Sequence, residues 1–185
     1  MNFNSLILHM IKNMIILLLL SSTIYSQQCN KNNWKDYYNK ESKDMTGCNL
    51  REENLAGVDL KGAILVDSDL FKANLQDANL EKTELLYTNL IGVNLQGANL
   101  AKADLEESSL IYADLSGSNL IGANLMYVDL RDADLTGANL RKTNLAEAKL
   151  KGSDITGVKS GEITGEPSSL PVGWNLVDGQ LIQNE

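Results

Sequence analysis

Acidic side chains are the residues of this sequence that could most readily do chemistry, and their spacing shows whether they form a site. The chain has 185 residues, with 24 Asp and Glu against 16 Lys and Arg, which gives a formal net charge of −8. Seven aspartates and eleven asparagines stand at the same position of a five-residue repeat. Paired catalytic carboxylates or calcium ligands would mark one place in the chain, whereas these side chains recur evenly along it. We therefore interpret them as turn residues that hydrogen-bond to nearby backbone.

Other residue types that support catalysis or ligand binding are scarce. The single histidine, His9, lies in a leader that we expect to be cleaved, so the mature protein would have no histidine for metal binding or proton transfer. The sequence shows no phosphate-binding loop, no metal-ligand cluster and no nucleophile with a partner base. It therefore predicts no enzyme, no catalytic residues, no cofactor and no metal. The negative charge also disfavours a nucleic-acid-binding surface.

The leader, residues 1–26, has the features of a cleaved secretory signal. A positive charge precedes an unbroken apolar run over residues 14–20, and small residues follow it. The run is shorter than the roughly 20 apolar residues that a membrane-spanning helix needs. We therefore expect export to the periplasm or the extracellular space, with no stable membrane span. Translation could start at Met1 or at Met10.

Two cysteines, Cys29 and Cys48, are candidates for a disulfide. Two mature cysteines in an exported protein are expected to pair, and closing this loop would contribute about 3 kcal/mol in the chain-entropy model. A buried free thiol is the alternative, because Cys48 also occupies an inward position of the first repeat. Lipoprotein anchoring at Cys29 is disfavoured, since Gln28 precedes it where a small residue is needed.

Leucine occupies every fifth position from Leu50 to Leu150, and Ile155 extends the series to 22 positions. A small residue stands two places before each of these, with Glu53 as the single departure. Five residues rotate an α-helix by about 500°, so the leucines would form no stripe. On a straight strand they would alternate between faces. The chain must therefore bend once per repeat, which predicts a solenoid with a leucine core and with Glu53 swung into solvent.

The repeats resemble a known family. Runs such as Ala73-Asn74-Leu75-Gln76-Asp77 and Ala98-Asn99-Leu100-Ala101-Lys102 are similar to the A(D/N)LXX signature of pentapeptide-repeat proteins. The resemblance implies an all-β fold, a right-handed four-sided β-helix solenoid of about 22 repeats with four repeats per coil. The chain after the repeats resembles the SGxITGxPxxLPxGWxLVxGxLI ending found on bacterial members.

The expected organisation has four parts. Residues 1–26 are the signal peptide, 27–47 an N-terminal cap, 48–157 the β-helix and 158–185 a C-terminal cap. Both ends of a solenoid need capping. Aromatic spacing at Trp34, Tyr37 and Tyr38 predicts a short helix that covers the first coil, with a carbohydrate-stacking platform as the alternative. Asp178-Gly179 between apolar pairs predicts a closing hairpin, with Trp174 as its plug.

Outward positions must carry any function. A glycine column at 57, 97, 117, 137 and 157 predicts one corner whose turn needs a positive φ. A basic column at 61, 82, 102, 141 and 142 predicts a solvated face of paired charges. A third set is apolar, and a contiguous apolar patch marks an interface. Its members are Phe71, Leu86, Tyr87, Ile91, Ile111, Tyr112, Met126 and Tyr127.

The apolar patch predicts a non-enzymatic, exported structural or protein-interaction module. It would bind an unknown protein partner or a second copy of the chain, and not nucleic acid. An apolar face that is merely tolerated, or that the N-terminal segment covers, is the alternative interpretation of the patch. The family resemblance adds a second function, topoisomerase binding by DNA mimicry, which cytoplasmic relatives perform; an exported protein would not meet that target.

Overall fold

A computed structural model describes residues 29–39 and 41–184 of the chain. The signal peptide expected at residues 1–26 lies outside these residues. Three regular elements occur among the described residues: helix α1 at Trp34–Tyr38, strand β1 at Trp174–Val177 and strand β2 at Gln180–Gln183. None of the described helices is long and apolar enough to cross a membrane.

Between α1 and β1 the chain winds as a four-sided coil. Isolated parallel bridges join residues twenty apart, from Asn49 with Asp69 to Lys149 with Ser169. Each five-residue repeat supplies one bridge, so four repeats complete one turn of the coil. The bridges also extend beyond the leucine series, because Asp44, which precedes the first repeat, pairs with Ile64 in the same register.

The core is a stack of leucines, as the five-residue period predicts. Every leucine of the series from Leu50 to Leu150 is at most 1% exposed, and so is Ile155. The small residues two places earlier, such as Ala73 and Ala98, are also fully buried. Burying one leucine side chain contributes about 1.5–3 kcal/mol. The repeated burial therefore holds successive coils together without long strands.

A tight turn forms every corner. The carbonyl oxygen of Leu60 accepts a hydrogen bond from the Ala63 N–H at 2.9 Å, and the other repeats follow the same pattern. The third residue of each turn has a positive φ, whether it is Gly97 at 66° or Lys102 at 59°. The prediction of a single such corner is therefore wrong, since all four corners share this backbone. The outward Asn and Asp side chains support the turns, as the Asp69 carboxylate accepts from the Phe71 N–H at 3.1 Å.

The N-terminal segment covers the first coil. Trp34 of α1 is buried, and its indole Nε1 donates to Glu53 Oε1 at 3.4 Å. Glu53 is half-buried and does not swing freely into solvent as expected, because the helix gives its carboxylate a partner. Cys29 and Cys48 form a disulfide with their Cα atoms 4.6 Å apart, and both are buried. The disulfide therefore ties the covering segment to the first repeat.

The antiparallel hairpin of β1 and β2 closes the other end. Leu176 lies opposite Leu181, and the Ile163 N–H donates to the Gly179 carbonyl at 3.1 Å. Leu181 and Ile163 are buried, whereas Trp174 is half-buried at the edge of the core. Leu181 therefore closes the last coil more deeply than the tryptophan expected to plug it.

A candidate interaction surface on one side of the coil

The eight side chains of the predicted patch fall on two neighbouring corners. Corner I comprises 66–67, 86–87, 106–107, 126–127 and 146–147, and corner II comprises 51–52, 71–72, 91–92, 111–112 and 131–132. One flat side separates the two corners, with Asn89, Ser109 and Asp129 stacked along its middle through bridges. The fold therefore brings the patch residues to the two borders of a single side.

The patch has a half-buried layer and an exposed layer. Five patch residues stand first at their corner and are half-buried, and these residues are Phe71, Leu86, Ile91, Ile111 and Met126. The second residue points outward, and Tyr87, Tyr112 and Tyr127 are exposed by 51%, 67% and 51%. On the described coils these tyrosines are the large apolar side chains that are exposed, since Val172, Val177 and Ile182 lie in the C-terminal cap. Exposed aromatic surface is thus concentrated on this one side.

The three tyrosines occupy unfavourable backbone. Their φ angles are 57°, 60° and 58°, in the left-handed region. That conformation costs an L-residue roughly 1–2 kcal/mol and is a genuine outlier for a bulky side chain. Gly92 takes the equivalent position on corner II, which shows that the fold accepts glycine there. The same backbone conformation occurs at every corner, and at these three positions it carries a bulky aromatic side chain on the surface.

Each end of corner II carries an arginine that pairs with an aspartate of the same chain. The Arg51 guanidinium lies 4.2 Å from the ring centroid of Phe71 and also pairs with Asp69 at 2.9 Å. Phe71 therefore contributes less free surface than its sequence position indicates. At the other end, Arg131 Nη2 lies 2.7 Å from Asp129 Oδ2, and this hydrogen-bonded guanidinium lowers the pKa of the Asp129 carboxyl. The free apolar surface of corner II therefore lies between the two arginines, at Ile91, Ile111 and Tyr112.

Charges distribute unevenly around the coil. The basic column lies on a different corner, where Lys61 pairs with Glu81 at 2.7 Å and, by that hydrogen bond, lowers the pKa of Glu81. Arg141 and Lys142 both lie within 4 Å of Glu162. The exposed acids of corner I, at 67, 107 and 147, form none of the ion pairs found among the described residues. Corner I is thus an uncompensated acidic edge.

A shallow concavity interrupts corner I. It has a volume of about 450 Å³ and is lined by Glu107, Tyr127, Glu147, Lys149 and Ser168. Across the described part of the chain, no group of His, Cys, Asp or Glu is arranged to hold a metal ion. An aromatic ring between two carboxylates provides the chemistry of cation recognition, because the ring face and the carboxylates both attract positive charge.

Comparison with known proteins places the repeats in context. The family model for pentapeptide repeats matches residues 48–85, 88–126 and 123–159, with eight copies, which together span more than half of the chain. Such repeats imply a right-handed β-helix, in agreement with the four-sided coil. A comparison with curated proteins found no match.

Solved structures share the repeat. HetL, a pentapeptide repeat protein involved in heterocyst differentiation regulation in Nostoc sp. strain PCC 7120, is 29% identical over 65% of this chain and 71% of its own, with a TM-score of 0.32. The thylakoid-lumen protein AT2G44920 of Arabidopsis thaliana is 30% identical over 58% of this chain and 65% of its own, with a TM-score of 0.35. QnrB1, a plasmid-mediated fluoroquinolone resistance protein, is 16% identical over 62% and 82%, with a TM-score of 0.43.

Proposed function

Since this chain belongs to the pentapeptide repeat family, we propose that it is a non-enzymatic interaction module that binds a protein through the side between corners I and II. The coil interior is filled by leucine and small side chains, so recognition falls to outward residues. Fold alone does not set function, and the surface must supply it.

The observation that supports this proposal is the clustering of Tyr87, Tyr112 and Tyr127. All three are exposed, all have a positive φ, and all border the same side. Tyrosine is enriched at protein interfaces because it offers a large apolar area with a polar tip. The half-buried Ile91 and Ile111 add apolar surface along the corner II border of the side.

We further propose that the protein acts outside the cytoplasm. The signal-like residues 1–26 support export. The Cys29–Cys48 disulfide supports it independently, because such bonds form and persist in oxidising compartments. Cell fractionation with thiol alkylation tests both points, and cytoplasmic protein carrying two alkylated cysteines would contradict them.

Photo-crosslinking from the middle of the side tests the proposed surface. A photoreactive amino acid replaces Ser109, and a matched control places it at Ser116, an outward serine on a corner that does not border this side. We expect a defined crosslinked product from position 109 alone. The triple variant Ile91→Ser, Ile111→Ser and Tyr127→Ser should abolish it, whereas Ile121→Ser on the basic corner should not.

Two further measurements distinguish the outcomes. Sedimentation of the purified protein shows whether the crosslinked partner is a second copy, which would dissociate in the triple variant. A protein that gives no product from position 109 and sediments as a monomer contradicts the proposal. Inhibition of DNA supercoiling by cytoplasmic protein would instead favour topoisomerase binding.

A further inference from the structure

The exposed positions of corner I alternate between acid and tyrosine along the coil axis. In order, they are Asp67, Tyr87, Glu107, Tyr127 and Glu147. Their φ angles lie between 56° and 58°, so the five Cα–Cβ bonds leave their turns in the same orientation. All five residues are exposed, and we call them the corner I ladder.

Backbone hydrogen bonds fix the spacing of this ladder. The Tyr87 N–H donates to the Glu106 carbonyl at 3.1 Å, and the Tyr127 N–H donates to the Ala146 carbonyl at 2.9 Å, each one coil further along. Hydrogen-bonded neighbouring strands lie about 4.8 Å apart. The two tyrosines, two coils apart, are therefore about 9.6 Å apart at the backbone. A carboxylate lies before, between and after them.

The ladder is arranged to receive positive charge. The ring face of tyrosine attracts a cation placed within about 6 Å of its centroid. An arginine guanidinium can stack on such a ring and hydrogen-bond to a neighbouring carboxylate, which lysine does less well. Its three acids, as noted, have no ion-pair partner among the described residues. Lys149, which lines the concavity beside Tyr127, is a cation that would compete for the same acids.

We propose that the corner I ladder binds an extended segment of a partner protein that carries arginine at every third residue. This inference rests on the proposed function, because it names the partner chemistry for the same surface. A polyproline II helix has three residues per turn and rises about 3.1 Å per residue, so every third side chain recurs on one side at about 9.3 Å. That repeat matches the tyrosine spacing. Same-face side chains of a β-strand recur at roughly 6.8 Å and would lose register.

The size of the surface favours a narrow segment over a second copy of the chain. Five coils at about 4.8 Å make the ladder roughly 20–25 Å long, and the adjoining side, three extended residues wide, adds roughly 10 Å of width. Their product is a few hundred Å², whereas a stable interface between folded proteins needs about 800 Å² from each partner. A single extended segment, lying along the ladder, would use the whole length of it.

The neighbouring side chains suit such a segment. Leu86 and Met126 precede the two tyrosines and are half-buried, so they offer apolar contact to the proline rings that stabilise polyproline II. The concavity of about 450 Å³ next to Tyr127 has room for a guanidinium between Glu107 and Glu147. The corner I ladder and the half-buried Leu86 and Met126 together thus provide cation sites at the required repeat, with apolar contacts between these sites.

Fluorescence anisotropy with two labelled peptides of identical composition tests the inference on the purified protein. One peptide contains three arginines in an Arg-Pro-Pro repeat, and the other has the same three arginines at alternate positions followed by the remaining prolines. We expect the first to bind about tenfold more tightly. Added salt should weaken its binding, as charge screening requires.

Matched variants assign the binding to the ladder. The double variant Tyr87→Ser and Tyr127→Ser should weaken the Arg-Pro-Pro peptide about tenfold. Ile121→Ser, which changes a half-buried side chain on the basic corner, should leave the affinity unchanged. Lys149→Gln should strengthen binding by about two- to threefold, because it removes the competing cation.

The outcomes separate this inference from the proposed function. Equal affinity of the two peptides, or equal loss in the Ile121→Ser control, would show unspecific attraction to acidic surface and overturn the ladder assignment. If the peptides fail while the crosslink from position 109 remains, the interaction surface stands and its partner chemistry is different. If both fail, the side between corners I and II has no binding role.

Discussion

Replacing Ser118 by alanine should stabilise this protein, which is an unusual expectation for a buried position. The Ser118 hydroxyl is 1% exposed and has no hydrogen-bond partner among the described residues. A buried polar group without a partner costs about 1–3 kcal/mol. Ala98 and Ala138 occupy the same inward position one coil before and one coil after, so alanine fits this column.

The expected gain follows from two opposing contributions. Removing the hydroxyl recovers its desolvation penalty, whereas the void of roughly 10 Å³ that it leaves costs only about 0.2 kcal/mol. The net stabilisation is therefore about 1–3 kcal/mol, which corresponds to about 2–12 °C in the melting temperature of a chain of this size. Urea titration followed by circular dichroism measures it as a higher midpoint with an unchanged slope.

Ser68→Ala is the matched control for this substitution. Ser68 is equally buried, but its hydroxyl donates to the Met45 carbonyl at 2.9 Å. Losing that hydrogen bond should destabilise the protein by about 0.5–1.5 kcal/mol. The two serine-to-alanine changes should therefore shift the midpoint in opposite directions. A lower midpoint for Ser118→Ala would refute the reasoning, because it would mean that the hydroxyl has a partner.

Four further predictions follow from the same structure. Leu95→Ala, at a side chain 1% exposed, should lower the unfolding free energy by about 2–5 kcal/mol, measured by urea titration. Replacing Cys29 and Cys48 by serine should destabilise by about 3 kcal/mol, and a reductant should then have no further effect on melting. Arg131 lowers the pKa of Asp129, so the ionised carboxylate stabilises the fold above the ordinary Asp pKa of about 3.9, and this stability is lost as the pH falls towards the lowered pKa. Asp129→Asn should therefore make the melting temperature depend less on pH between pH 5 and pH 3. An unchanged pH dependence of the melting temperature contradicts this. Tyr87→Gly should leave stability equal or raise it by up to about 1 kcal/mol, because glycine relieves the left-handed strain at an entropic cost.

The core and the coil could be predicted from the sequence because a five-residue period suits neither a helix nor a strand. A chain that buries Leu75, Leu95 and Leu115 in one column has to bend between them, and the structure buries all three. The placement of the patch on two neighbouring corners follows from the same geometry once four repeats complete a turn. Periodic residues are thus predictable because each repeat adopts the same backbone and buries the same positions as the repeat before it.

The positive φ at all four corners has a sequence signal beyond the one glycine column. Gly62, Gly92 and Gly122 stand at the same repeat position on other corners. The remaining corners carry Lys, Asp, Glu or Tyr at this second position, and these residue types do not indicate a positive φ. The glycines at the same position of other repeats are the sequence signal for it.

Contacts that break the period could not be predicted. Arg51 covers Phe71 because its long side chain adopts one of several possible rotamers, and the repeat spacing does not determine which one. Glu53 gains its partner from Trp34 only after the N-terminal helix has docked on the coil. Both contacts lie at the N-terminal end of the solenoid, where the neighbouring repeats do not determine the side-chain conformations.

A solenoid of identical backbone turns separates the residues that make the fold from those that make the surface. Every outward position of corner I has the same φ, within 56° to 58°, whether it carries Asp67, Tyr87 or Glu107. The order of side chains along the corner can therefore change without moving the backbone, and the spacing of any ligand groups is set by the coil repeat of about 4.8 Å. At such a position the left-handed conformation costs more free energy for tyrosine than for glycine. Tyrosine at alternate coils between acids therefore places aromatic rings and carboxylates at the spacing that the proposed binding of a partner with matching positive charges requires.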